Sequence, residues 1–466
     1  MARLFPFRAL RYDPTCVNMA DVVTQPYDKI DKQMQERYYN LSPYNLVRVV
    51  LGKHHPDDND ERNVYTRAAE TLKAWRAKGI LREEIAPALY GYSQTYTVPG
   101  TGGTTGAKAE IRERRGFIAL AQLHDYEDHI VYRHEQTFPK HKSDRLALFR
   151  ATRAYCEQIY MLYSDPTFTA ERVIFEAPPE VVGSGSSVAH TARTPDLEIT
   201  DEYHVVHRVW KVTDTHQIKR VLDAMADKWL LIADGHHRYE TSVAYMHERA
   251  EELHIDSNAA PKMTSDGLPQ PAFPEQAMMM TFVNMDAPGI TILPTHRVVS
   301  GLENFSIRDF TDQAKPHFDV KELESSLTPA QLLAKLNEAD GVAFVAAARD
   351  ANLLLTPKPE AIAPLLMGLS PRQQQLDVTQ LHKVALEKLL GLNEETIRKG
   401  EVIRYYREAD ESVERVKSGK ADVAFLIKPV TLEQMKDISL NLEVMPQKST
   451  DFYPKLLSGL AMYTLD

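Results

Sequence analysis

The densest set of chemically capable side chains in this sequence is Asp234-Gly235-His236-His237-Arg238, which follows the apolar run Leu230-Leu231-Ile232-Ala233. A short apolar run, a break at Asp-Gly and a renewed apolar period predict a buried strand, a tight turn and a helix over 236–253, with Tyr239, Val243 and Met246 toward the core. A helix that starts directly after Asp-Gly exposes unpaired amides and the positive end of its dipole, which together favour an anion such as a phosphate. Gly235 lets the backbone approach closely, and His236, His237 and Arg238 add donors, Arg being able to grip phosphate oxygens with two parallel hydrogen bonds. Asp234 would repel a bare phosphate and suits a metal ion or a helix cap. The competing reading is a capped helix with a solvated basic first turn. Positive charge there opposes the dipole, so the triplet needs another reason to be present.

A second cluster is His134-Glu135-Gln136-Thr137, followed by Lys140, Lys142, Asp144 and Arg145. Here Glu135 could take a proton from a hydroxyl, and Lys142 or Arg145 could offset charge on a transferring phosphoryl group. A solvated loop with incidental charges explains the same residues. Three further polar strings could reach a pocket or be turn chemistry: Gln25-Pro26-Tyr27-Asp28, Pro294-Thr295-His296-Arg297, and Pro446-Gln447-Lys448-Ser449-Thr450, which leads into Phe452-Tyr453-Pro454-Lys455. None of the seventeen histidines falls in a zinc spacing, and His236 and His237 diverge on a helix. Magnesium carried in with nucleotide phosphates, near Asp234, fits these ligands better.

The elements that must position these groups alternate along the chain. Helices are predicted over 65–78, 142–159, 329–337, 381–390 and 410–418, and strands over 88–98, 115–123, 158–163, 205–212, 277–284, 290–293, 341–346 and 423–427. Residues 258–276 read as a long loop or lid, and the stretches 100–106 and 183–187 as glycine-rich connections. No internal repeat is present. The expected class is α/β (α+β).

Size and composition bound the function. At 466 residues, 43% hydrophobic and 26% charged, the chain can bury more than one core. A net charge of -10 argues against a duplex-binding surface, so nucleic acid is not an expected partner. No apolar run is long enough to span a membrane and the N-terminus lacks a secretory stretch, so the expected compartment is the cytoplasm, with no membrane partner. Cys16 and Cys156 have no C-x-x-C spacing and read as free thiols. A homo-oligomer is left open.

On Gln25-Pro26-Tyr27-Asp28-Lys29-Ile30, the His134-Glu135-x-Thr137 to Asp144-Arg145 block, Ala233 to Tyr239, Leu293 to Arg297, Leu376-Asp377-Val378-Thr379 and Met445 to Thr450, the chain resembles the bacterial family called domain of unknown function 1015. Its middle is also similar to the ParB/sulfiredoxin-like fold, whose phosphate loop Asp234 to Arg238 matches. That resemblance implies a phosphate-binding core over 111–255, between an N-terminal α/β region at 1–110 and a C-terminal one at 256–466. Free L-serine kinases of this group look similar in having a His-Glu string upstream of the loop. The resemblance implies that Asp234, Gly235, His236, His237 and Arg238 bind ATP or ADP with Mg²⁺ at Asp234. Glu135 is then the general base, beside His134, with Lys142 and Arg145 steadying the phosphoryl group. Tyr27, Asp28, Thr137, His296, Arg297, Lys448, Ser449 and Thr450 are then candidates for the substrate, a small molecule with L-serine foremost. The alternatives are a nucleotide hydrolase and a non-catalytic ParB-like module that senses nucleotide or binds nucleic acid.

Overall fold

Runs rich in β-branched and aromatic residues make strands, and among the described residues these form one nine-stranded sheet, one six-stranded sheet and four two-stranded pairs. The computed structural model describes residues 1–101, 109–137, 139–176 and 193–466, so most of the 100–106 connection, all of 183–187 and the side chain of Lys140 lie outside the described residues. The chain divides into two units, one of Met1–Arg133, Thr137–Ile290 and Pro454–Asp466, the other of His134–Gln136 and Thr291–Tyr453. Both interleave helices and strands, and the fold is mixed α/β. Among the described residues no helix is long and apolar enough to cross a membrane.

The first unit is built on a sheet with the strand order Val131–Tyr132, Leu230–Asp234, Ile159–Tyr163, Ala277–Asn284, Ile111–Gln122, Leu89–Thr97, Val206–Val212, Leu197–Thr200. The strand Leu4–Phe5 pairs off this path with Ile111–Gln122. Every residue of Ala277–Asn284 is buried. Its alternate residues Met278, Met280 and Phe282 pack with Met161, Ile232, Tyr239 and Met246 in one apolar core. Period-2 alternation thus places one face of the sheet under the helix His236–Leu253, whose Tyr239, Tyr245 and Met246 are buried.

Two local departures from the sequence reading have physical causes. The expected helix over 142–159 ends at Thr152, because Arg153 adopts φ 48° and turns the chain into the short strand Ala154–Tyr155. That left-handed residue is held by its own guanidinium, which donates to Glu275, to the Leu465 carbonyl and, at 2.8 Å, to the Tyr245 hydroxyl. The expected loop at 258–276 is loop over most of its length but is anchored: Lys262–Met263 pairs with Pro269–Gln270, and Leu268, Ala272 and Phe273 join the core. Gln276 ties the segment down by donating to the carbonyls of Ser257 and Ala259 at 3.1 and 2.8 Å.

The second unit carries an antiparallel sheet in the order Phe318–Leu323, Asn352–Pro357, Phe344–Ala348, Val423–Ile427, His296–Val299, Ile403–Tyr406. Val298, Val345, Ala424 and Leu426 face the helices Pro329–Glu338 and Ala409–Lys417. Arg297 lies in register with Phe425 on one side and Tyr405 on the other, so these three share the opposite face. The helical turn Asp377–Gln380 passes directly into the π-helix Leu381–Leu389.

Candidate functional site

In the first unit the strand Leu230–Asp234 delivers Asp234 through a register shift between Ile232 and Asp234 against Ile159–Tyr163. A bulge of this kind bends a strand and re-aims its side chains. Gly235 then takes φ 99°, a region that side chains rarely adopt, and the helix His236–Leu253 begins at once. A Cβ at Gly235 would also stand 3.1 Å from Nη2 of Arg238. Tyr239 N donates to the Gly235 carbonyl at 2.9 Å, and the Tyr239 hydroxyl donates to the His124 carbonyl at 2.7 Å. The first turn is therefore fixed from both ends, with the amide-rich helix terminus at the end of a buried strand.

Asp234 is clamped by two cations. Lys455 Nζ lies 2.8 Å from its Oδ1, and Arg238 Nη2 lies 3.0 Å from its Oδ2. Burial opposes ionisation of this carboxyl, but the charges of Lys455 and Arg238 outweigh it and hold the carboxyl well below the usual carboxylate range. Arg238 is buried, and its Nη1 donates to the Gln158 carbonyl at 2.5 Å. The guanidinium thus folds back to brace the loop. Burial pushes His236 down to about 4, so its imidazole is uncharged at neutral pH. His237 is half-buried, and its carbonyl accepts from Thr241 Oγ1 at 2.7 Å.

Around this loop the same unit gathers several of the other predicted groups. Tyr27 N donates to Glu157 at 2.9 Å, and the Arg145 guanidinium stacks 4.0 Å from the Tyr27 ring. Arg145 is itself buried, paired with Asp144 at 2.7 Å and Glu157 at 3.5 Å. Burial pushes Glu157 up, opposed by Arg238 and Arg145. Asp28 lies in the turn Tyr27–Lys29, and its charge reaches both Glu157 and Arg238. Lys142 and Thr137 converge on Glu240, one turn into the helix: Lys142 forms an ion pair and Thr137 Oγ1 donates at 2.5 Å. Arg133 adds a third contact at 3.2 Å. Burial opposes the charge on Glu240, and these donors overcome it and lower its pKa.

The remaining predicted residues belong to the second unit. Glu135 accepts from the Lys448 amide at 2.9 Å, and His134 Nε2 lies 2.8 Å from Thr450 Oγ1. Ser449 is buried, and its hydroxyl donates to the Pro446 carbonyl. Arg297 is buried and donates to the carbonyls of Thr295, Gln447 and Lys448, the last at 3.0 Å. His296 points to the other face of its strand, where Nδ1 accepts from Ile427 N at 3.3 Å and burial pushes its pKa down to about 4.

Among the described residues no group of three or more His, Cys, Asp or Glu side chains could hold a metal ion. Both oxygens of Asp234 already carry cationic partners, so the residues present do not fit a resident magnesium site. Sequence reasoning missed Glu157, Glu240 and the pairing of Lys455. The available signal for Glu157 was an acid embedded between the apolar stretches Ala154-Tyr155-Cys156 and Ile159-Tyr160-Met161.

A family model described as "Protein of unknown function (DUF1015)" matches residues 4–379. No curated protein matches the chain. Among solved structures, a conserved hypothetical protein from Pyrococcus furiosus is similar at 12% identity, covering 70% of this chain and 89% of that one, with a TM-score of 0.33. A free serine kinase in complex with AMP is similar at 12% identity, 70% and 84% coverage and a TM-score of 0.33. SbnI with a C-terminal truncation, from Staphylococcus aureus, is similar at 9% identity, 73% and 85% coverage and a TM-score of 0.33.

Proposed function

The chain belongs to the DUF1015 family of proteins of unknown function, and from that premise we propose that it is a kinase that moves phosphate from ATP or ADP to the hydroxyl of a small molecule. Free L-serine, giving O-phosphoserine, is the foremost acceptor. The observation that carries the reading is the loop itself: a left-handed Gly235 at the end of a buried strand, opening directly into the amides of a long helix. The clamp of Lys455 and Arg238 on Asp234 supports it, because a loop braced before the ligand arrives does not have to be ordered by the ligand.

In this reading the nucleotide phosphates lie on the amides of Gly235 to Arg238, within a ParB/sulfiredoxin-like core at 111–255. Glu135 takes the proton of the acceptor hydroxyl. The acceptor oxygen bonds to the terminal phosphorus as the bond from that phosphorus to its bridging oxygen breaks, and the nucleotide leaves one phosphate shorter. Catalysis is then positioning and electrostatics, with little covalent work for the protein. A divalent ion would enter with the nucleotide.

The test is incubation with ATP or ADP, Mg²⁺ and a pool of hydroxylated metabolites, read by mass spectrometry. A phosphorylated acceptor is expected, with product formation falling at least about 100-fold in Glu135→Gln, the scale of a lost general base. Nucleotide consumed without any acceptor would point to a hydrolase. Nucleotide bound with no turnover would point to a sensing module.

A further inference from the structure

The second unit contains a buried cationic centre outside the phosphate loop. Arg297 is fully buried, and its two terminal nitrogens are held by main-chain carbonyls of Thr295, Gln447 and Lys448. Its Nε is buried without a hydrogen-bond partner, and among the described residues no carboxylate forms an ion pair with it. A buried charge is normally kept in place by a paired counter-charge, and burial here pushes Arg297 down to about 10.

Other polar atoms of the same neighbourhood also lack partners. The Tyr405 hydroxyl is one, on a ring whose centroid is 5.4 Å from the Arg297 guanidinium. His382 Nε2 is another, on an imidazole whose pKa is lowered by burial and then by the charge of Arg297. His382 lies in the π-helix Leu381–Leu389. π-Helical turns recur at functional sites. Native interiors leave few such atoms unsatisfied, so several together mark a place for a polar ligand.

We propose that Arg297, Tyr405 and His382 receive the carboxylate of a small hydroxy acid, whose hydroxyl proton Glu135 takes. The role of Glu135 rests on the kinase reading, whereas the carboxylate site does not. Glu135 is the acid whose charge reaches both Arg297 and Tyr405, and it shares Lys448 with Arg297: it accepts from the Lys448 amide while Arg297 donates to the Lys448 carbonyl. With His382 uncharged, one guanidinium N–H and one phenol O–H match a flat, singly charged carboxylate better than a phosphate dianion.

The experiment is calorimetric titration of the full chain, without nucleotide, with L-serine, D-glycerate and L-serine methyl ester. At least one of the two acids is expected to bind, with the ester at least about tenfold weaker. Tyr405→Phe removes only a hydroxyl without a partner, so it is expected to keep the thermal midpoint and to weaken acid binding about tenfold; Arg297→Gln is expected to abolish it. Failure of both acids to bind, an ester as tight as its acid, or unchanged binding in Tyr405→Phe overturns the site. Phosphate transfer to acid and ester alike would sink this inference and leave the kinase reading standing. Binding that depends on Tyr405, with no phosphate transfer to any acceptor, would do the reverse.

Discussion

Glu135 and Arg297 grip the two ends of a single residue. The Glu135 carboxylate accepts from the Lys448 amide at 2.9 Å, the Arg297 guanidinium donates to the Lys448 carbonyl at 3.0 Å, and between them Lys448 is held at φ 56°. A left-handed residue with a side chain costs about 1 kcal/mol or more, and it persists where its surroundings over-determine it. Lys448→Gly is therefore expected to change stability by less than about 1 kcal/mol, because relief of the strain and the extra freedom of the unfolded chain oppose each other. Lys448→Val, with a branched Cβ, is expected to lose about 1–2 kcal/mol. Urea midpoints of the two variants decide the point, and equal midpoints would contradict it.

At the loop proposed to hold phosphate, Gly235→Ala meets two penalties: a backbone at φ 99° and a Cβ pressed on Arg238. A loss of about 1–3 kcal/mol in stability is expected, with ATP affinity reduced further than stability, since the displaced guanidinium releases Asp234. Thermal melts with and without ATP separate the two effects. A variant that melts and binds as the parent does would remove the case for a strained loop.

The pair Asp234 and Lys455 is suited to a double-mutant cycle. Lys455→Met leaves Asp234 with Arg238 as its one ion-pair partner among the described residues, and Asp234→Asn leaves two cations facing each other, so each single change is expected to cost about 2–4 kcal/mol. The double variant is expected to cost much less than the sum. Additive losses would mean that the two side chains act independently.

Acid sensitivity follows from two buried imidazoles. His236 and His296 are each pushed by burial down to about 4, while in the unfolded chain a histidine titrates near ~6.5. The unfolded chain therefore takes up protons first as pH falls. Stability is fully present above ~6.5 and is lost as pH falls from there toward 4, by at most on the order of 3 kcal/mol per imidazole. His296→Asn keeps an acceptor for Ile427 N and is expected to flatten part of this dependence between pH 7 and 4.5. An unchanged slope in that variant would rule out His296 as a contributor.

Asp377 carries the opposite sign. Burial pushes its carboxyl up to about 6, above the unfolded value near ~3.9, so the folded protein holds the proton longer. Its contribution is complete below ~3.9 and is lost as pH rises through about 6, leaving an ionised carboxylate whose Oδ2 is buried without a partner. Asp377→Asn is expected to stabilise the protein at pH 8 by on the order of 2 kcal/mol, and to do little at pH 4. Denaturation at the two pH values measures the difference.

The parts of the site legible in the sequence are those whose cause is local. The strand, the Asp-Gly break and the helix from His236 are set by a switch of apolar period within two dozen residues, and the structure has them at 230–234 and 236–253. What eluded sequence reasoning depends on distant partners. Lys455 reaches Asp234 across 221 residues, and Thr137 reaches Glu240 across 103, with nothing in either local string to announce the other. The bulge before Asp234 and the left-handed Arg153 are likewise products of neighbouring strands and of Glu275, outside any local pattern. The segment 258–276 was legible as a loop from its prolines and polar residues, but its anchoring was not, since Leu268 and Phe273 hold it by tertiary packing.

The return of Pro454–Asp466 to the first unit, after the whole of 291–453 has been laid down elsewhere, has a bearing on biogenesis. A ribosome delivers the strand Leu230–Asp234 and the helix behind it long before it delivers Lys455. During that interval the nascent chain carries Asp234 with Arg238 as its sole ion-pair partner among the described residues, and the apolar floor of the sheet lacks Leu465. The loop proposed to hold phosphate thus gains the second of its two cations last, Lys455 being made after Arg238.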